Sequence, residues 1–194
     1  LASCLSNLGI YAKAKEYLRR GQRLVTIVND AGERCRLLLQ ELSIAMNTGR
    51  DPALIDSLLA EAMSIAHSLG DPGLLASAHF SAGSRFHQRG NPEAAIGEYA
   101  EARRIYASLG WRVAEAGALD NLGMLSIVLR KSEDALRYLD SAAVLREETG
   151  NIYNMPYTLW HLAQMHNSLG EYDRALAVLE RSRDAEEARR RLVK

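Results

Sequence analysis

Five histidines and two cysteines are the residues with which this chain could hold a metal ion or act as a nucleophile: His67, His79, His87, His161, His166, Cys4 and Cys35. Their spacing supports neither role. His161 and His166 stand five apart and His79 and His87 eight apart. None forms the i,i+4 histidine pair beside a glutamate that binds zinc on a helix. The cysteines lie far apart with no CxxC pattern; we read them as buried, reduced thiols, which suits a cytoplasmic location. There is no GxSxG, no glycine-rich phosphate loop with its lysine, and no workable serine–histidine–aspartate arrangement. Acid pairs such as Glu147-Glu148 and Glu186-Glu187 occupy adjacent positions, which on a helix do not face one another. We therefore assign no catalytic residue, no metal ligand and no cofactor, and expect a protein that is not an enzyme.

Binding side chains remain, and they fall into columns. Gln40, Phe80, Asp120 and Trp160 are each 40 residues apart. Ile44, Ser84, Met124 and Gln164 form a second column at the same spacing, and Asn47, His87, Ile127 and Asn167 a third. Amides and hydroxyls beside aromatic and aliphatic groups suit capture of a peptide backbone or a short helix. Trp160, next to Tyr157 and His161, reads equally as a ligand anchor or a half-buried packing residue. Trp111 follows a turn glycine and reads as a packing staple.

The columns need elements to carry them. Gly70, Gly110 and Gly150 repeat every 40 residues, and so do turns at Arg50, Gly90, Arg130 and Gly170, half a unit out of phase. A fixed period of this size marks a repeat array. Between the turns, apolar residues recur at three- and four-residue steps, the helical period. Each unit therefore reads as two helices. Asp51-Pro52 and Asn91-Pro92 put a capping side chain before a proline at the first helical position. Ser132, followed by Glu133 and Asp134, offers the third such start. Gly70, Gly110 and Gly150 suit a left-handed cap at a helix end. Small residues line both faces of the expected crossing. Ser43, Gly83, Gly123 and Ala163 follow one another on the first helices, and Ala95, Ala135 and Ala175 on the second. Helices cross closely where little side chain intervenes, so Ala135→Leu should overpack the pair. Upstream, Ala14, Leu18 and Gly21 continue the pattern one residue out of step.

These residues resemble the tetratricopeptide repeat family. The matching pieces are Leu122-Gly123 with Ala135, Leu139 and Ala142, and Leu162-Ala163 with Leu169-Gly170-Glu171-Tyr172, Ala175 and Leu179. Ala82-Gly83 with Gly90-Asn91-Pro92, Ala95, Tyr99 and Ala102 completes them. The family's usual period is about 34 residues. The longer unit here is similar to those of kinesin light chains and of bacterial signalling ATPases and transcription regulators. The resemblance implies an all-α fold, a right-handed α-α superhelix of antiparallel helix pairs, with the first helices lining a concave groove. It would cover 1–194 as one array of about 4.5 repeats: a partial repeat at 1–30, then 31–70, 71–110, 111–150 and 151–194. The groove residues it implies are Gln40, Asn47, Phe80, Ser84, His87, Asp120, Met124, Trp160, Gln164 and Asn167. Some members of the family clamp a terminal carboxylate with lysine in the groove. The columns here hold no lysine or arginine, so a more apolar or neutral ligand is expected.

Composition narrows the partner. Lys+Arg and Asp+Glu are both 24, for a net charge of zero, which argues against a general nucleic-acid surface. No apolar run approaches the roughly 20 residues of a membrane span, and the first residues are not a signal peptide. The chain lacks an initiator methionine, and we read it as excised from a longer protein. The segment Ala185–Lys194 should continue the last helix, either as a polar cap or as a link to a neighbour. The function expected is a protein or peptide interaction module, the sensor or scaffold segment of a larger cytoplasmic regulator, with a small effector as another ligand class. The alternative is self-association: an exposed end, with residues such as Leu5 and Leu8, forming a homodimer.

Overall fold

The computed structural model describes residues 13, 16, 17, 20, 21, 30–151 and 153–192. The readings that rest on Cys4, Leu5, Leu8, Ala14 and Leu18 lie outside these. Every regular element among the described residues beyond Gly21 is an α-helix: α1 (Ala31–Asn47), α2 (Pro52–Leu69), α3 (Pro72–Gln88), α4 (Pro92–Ser108), α5 (Arg112–Val128), α6 (Ser132–Glu148), α7 (Met155–Ser168) and α8 (Tyr172–Leu192). The chain divides into two compact units, 1–89 and 90–194. The boundary falls in the turn between the two helices of the 71–110 repeat.

The helix starts follow the capping chemistry. Asp30, Asp51, Asp71 and Asn91 each accept a hydrogen bond from a backbone N–H of the first turn that they precede, at 3.0–3.2 Å. Such a cap satisfies a donor that the helix leaves open, and is worth about 1 kcal/mol. One start differs from expectation. Ser132 is already the first helical residue of α6, Lys131 precedes it, and no side chain caps the end. Glu133 and Asp134 supply the only first-turn acids there, favourable charges at a helix N-terminus.

The helix ends follow the 40-residue grid. Gly70, Gly110 and Gly150 take φ of 62°, 67° and 63°, and Gly90 and Gly170 take 71° and 76°. Arg130 occupies the same left-handed conformation at φ 57° without being glycine. Its amide bonds to Ile127 O and the next amide, of Lys131, reaches back to Ser126 O, the paired closure that satisfies a helix's last carbonyls. In the first unit the left-handed residue is Gly49, at φ 62°, rather than Arg50. Arg50 N instead closes onto Ala45 O.

In the first unit α1, α2 and α3 touch one another. Their core holds Cys35, Leu38, Leu42, Ala45, Ile55, Leu58, Ala62, Ala66, Leu74 and Ala78. The Cys35 thiol is fully buried and donates to Ala62 O at 3.4 Å; burial pushes its pKa up, so it is a packing residue rather than a nucleophile. Arg85, 8% exposed, ties α3 to α2. Its Nε donates to Asp56 at 2.7 Å and its Nη2 to Pro52 O at 3.3 Å.

In the second unit each helix from α4 to α8 contacts the next, and α5 also reaches α7. The small-residue rows do what close crossing requires. Ala95, Ala135 and Ala175 are buried, as are Gly123 and Ala163. A Cβ added at Gly123 would lie 2.7 Å from Leu139 Cγ and 3.5 Å from Ala135 O. The missing side chain at residue 123 therefore lets α5 and α6 cross this closely.

Candidate functional site

The ten residues expected to bind lie on the first helix of each pair, and the structure sorts them by exposure. In the first unit α1 carries Gln40, half-buried, and Asn47, exposed, whose amide donates to Ser43 O at 2.8 Å. Phe80, Ser84 and His87 follow one another along α3, each half-buried. The Ser84 hydroxyl donates to Phe80 O at 3.1 Å. Ile44, from the second column, is 2% exposed and belongs to the interior.

In the second unit the exposed members concentrate on α7. Trp160 is 51% exposed, and Gln164 and Asn167 stand one and two turns further along, both exposed. Tyr157, one turn before Trp160, is 47% exposed. Its hydroxyl donates to Met124 Sδ of α5 at 3.4 Å, which joins the two helices. Beneath the two aromatic rings lies His161, 8% exposed. It meets Tyr157 edge-on at 4.5 Å between ring centres and Trp160 at 4.8 Å. Neither imidazole nitrogen has a hydrogen-bond partner among the described residues. Burial holds the His161 pKa below its ordinary value, so the ring is neutral at physiological pH. The result is a patch of two large rings over an apolar-behaving histidine, bordered by a thioether and by amides that remain free to bond.

Asp120 requires a correction. It shares a column with Phe80 and Trp160 but is 3% exposed and unavailable to a ligand. Its two oxygens accept from Arg146 Nη2 of α6 and from the Thr158 hydroxyl of α7, the latter at 2.7 Å. Arg146 Nε in turn donates to Thr158 Oγ1 at 2.9 Å. Desolvation pushes the Asp120 carboxyl up in pKa, against the pull of Arg146 and Thr158. This closed triad fastens α5, α6 and α7 from within. Periodic columns cannot reveal it, because its members stand at unrelated spacings; a lone acid and a lone arginine on helix faces that otherwise read as apolar were the available signal.

Trp111 is 47% exposed and stacks on Tyr106 at 6.0 Å between ring centres, closing the α4–α5 turn. His166 does not face a ligand column either. Its Nδ1 lies 2.7 Å from Glu171, across the α7–α8 turn. Among the described residues no group of three or more histidine, cysteine, aspartate or glutamate side chains is placed to hold a metal ion. No described helix is long and apolar enough to cross a membrane.

No family model and no curated protein sequence matches the chain. Solved structures do. BtubC from P. vanneervenii superposes with a TM-score of 0.78 at 19% identity, over 98% of this chain and 78% of that one. A Rap protein complexed with Competence and Sporulation Factor gives 0.82 at 17% identity. This chain is covered to 95% there and spans 51% of the Rap protein. A kinesin light chain from Podosopora anserina with nearly identical tetratricopeptide-like repeats gives 0.69 at 14% identity, over 98% and 93%. At these identities the likeness is one of fold. The chain has the all-α, tetratricopeptide-like repeat fold, in which paired helices stack as a solenoid.

Proposed function

We propose that this chain is a non-enzymatic interaction module that captures a peptide or a short helix of a partner protein. We place it as the sensor or scaffold segment of a larger cytoplasmic regulator. The observation that carries the reading is the α7 patch. Trp160 and Tyr157 are large aromatic side chains left about half exposed, held rigid by a buried histidine and by Met124. Rigid, amphipathic aromatics of this kind dominate binding energy where a partner desolvates them. Gln164 and Asn167 add amide groups along the same helix; in the first unit Gln40 and Asn47 offer amides on α1, and Phe80, Ser84 and His87 offer an aromatic ring, a hydroxyl and an imidazole on α3. The patch itself presents no lysine, arginine or acid, so the ligand is a neutral or apolar segment. The Rap protein seen with Competence and Sporulation Factor supports a binding role for this fold. A regulator would read the ligand through its differential affinity for two conformations.

The test is a neutral-peptide array probed with the wild type, with Trp160→Ala and with a Trp160→Ala, Phe80→Ala double variant. Peptides selected by the wild type should lose at least about 2 kcal/mol of affinity on loss of the Trp160 anchor. Equal binding by all three proteins sinks the site. Self-association into a homodimer is the second reading. Sedimentation of the chain over a range of concentrations decides it.

A further inference from the structure

Between α5 and α7 lies a buried polar group that packing alone does not explain. His161 is 8% exposed, and among the described residues neither of its nitrogens has a hydrogen-bond partner. A neutral imidazole carries one donor and one acceptor. Burying both unpaired costs free energy that an apolar side chain in the same place would not. Tyr157 covers the ring, edge-on at 4.5 Å between ring centres. Tyr157 is itself 47% exposed, and its hydroxyl donates to the Met124 thioether of α5 at 3.4 Å. Thioether sulfur is a weak acceptor. A lightly held, half-exposed ring therefore stands between water and an unsatisfied titratable group.

A proton on that group changes what it needs. An imidazolium has two N–H donors and a charge, and inside a protein it requires an anion or water. Helices α5, α6 and α8 pack against α7, and the charged groups with which they meet it are already engaged. Asp120 of α5 and Arg146 of α6 hold one another and Thr158. Glu171 of α8 is bound to His166 and Arg174; further along, α8 meets this core with Val178 and Ala185. Burial alone lowers the His161 pKa, so none of these charges compensates a proton there. Tyr157 and Trp160, the latter centred 4.8 Å away, offer a cation–π attraction, which is smaller than the hydration a buried ion gives up. Water is the remaining partner, and the way to it passes Tyr157. We infer that Tyr157 is a proton-operated lid: when His161 takes up a proton, the Tyr157 ring leaves α5 and the imidazolium turns out to water, while the helices keep their places. Loss of the proton closes the lid again. The lid works in the chain alone, whether or not the α7 patch takes a peptide.

Two reporters read it. In a Trp111→Phe background Trp160 is the remaining indole, and a charged imidazole beside an indole quenches its emission. The isotope-labelled Met124 methyl, its resonance assigned with Met124→Leu, senses the Tyr157 hydroxyl at its sulfur. On acidification Trp160 emission should fall in a single step centred below pH 6.5. The Met124 resonance should shift over the same range, and far-ultraviolet circular dichroism should hold constant. Tyr157→Phe, which loses the bond to sulfur, should move the step to higher pH. Both transitions should vanish in His161→Phe and in His161→Gln, which keep His67, His79, His87 and His166; the glutamine variant serves if phenylalanine does not fit. Emission that stays constant down to acid unfolding, a step that survives the His161 substitutions, a step that Tyr157→Phe leaves in place, or a Met124 resonance that stays still overturns the inference. So does loss of helix coincident with the step, because the proton then unfolds the chain instead of moving one ring.

Discussion

Replacing Gly123 by alanine sets two effects of known size against each other. Alanine is a better helix former than glycine by about 1 kcal/mol in a helix interior. The new methyl, however, would stand 2.7 Å from Leu139 Cγ and 2.8 Å from Leu139 Cδ2. Carbon atoms pack at about 3.5–4.0 Å, so each contact is roughly 1 Å too short. Leu139 is fully buried and cannot swing into solvent. Overpacking of this kind costs about 1–3 kcal/mol, so Gly123→Ala should lose about 1 kcal/mol net. Gly117, on the same helix, has nothing within 4 Å of its virtual Cβ. Gly117→Ala should therefore gain about 1 kcal/mol from propensity alone. Urea unfolding of the two variants should separate them by about 2 kcal/mol, or roughly 4–8 °C in Tm for a chain of this size. In a Leu139→Ala background the Gly123→Ala penalty should vanish, a coupling that a double-mutant cycle reads directly. If both alanines shift stability in the same direction, the close α5–α6 crossing is wrong.

Three further outcomes are expected. Arg130→Gly should stabilise the chain by about 0.5–1 kcal/mol, because φ of 57° strains any residue with a Cβ; a melt below the wild type would contradict the left-handed turn. Arg146→Met should cost about 3–5 kcal/mol at neutral pH by stranding the buried Asp120 carboxylate. The loss should shrink in acid as that carboxyl takes up a proton, and a pH-independent loss would count against the triad. His161 carries a folded-state pKa below its ordinary 6.5, so the unfolded chain binds the extra proton. Stability should therefore fall as the pH drops from about 6.5 through the folded value. His161→Phe should flatten that slope in urea titrations, and an unchanged slope would refute the buried, neutral ring.

The helix pairs were legible because their signals are local and repeated. Asp51-Pro52, Asn91-Pro92 and the turn glycines each act within one turn of chain, so a single sequence displays them. The left-handed arginine at 130 was legible only through the grid, since nothing about arginine predicts positive φ. Gly49 shows the limit of the grid: where a glycine stands next to the expected turn, the backbone uses it and the count slips by one. The exposure of Trp160 was legible because an exposed ridge has a periodic address. Asp120 shared that address and was misplaced, because burial depends on what a neighbouring helix offers, and Arg146 and Thr158 answer no period. The orphaned nitrogens of His161 were equally invisible. Polar character along α7 says nothing about which rings lie over which.

The order of contacts within each unit has a kinetic consequence. In the second unit helices touch the next helix in the chain or the one after it, and among its described residues α4 and α8 do not have to find each other. Loop closure over such short separations costs little entropy, and chains dominated by near-neighbour contacts cross their folding barrier quickly. Each hairpin can therefore zip onto the last as it forms, so a lesion in one repeat would arrest growth at that point instead of preventing collapse altogether.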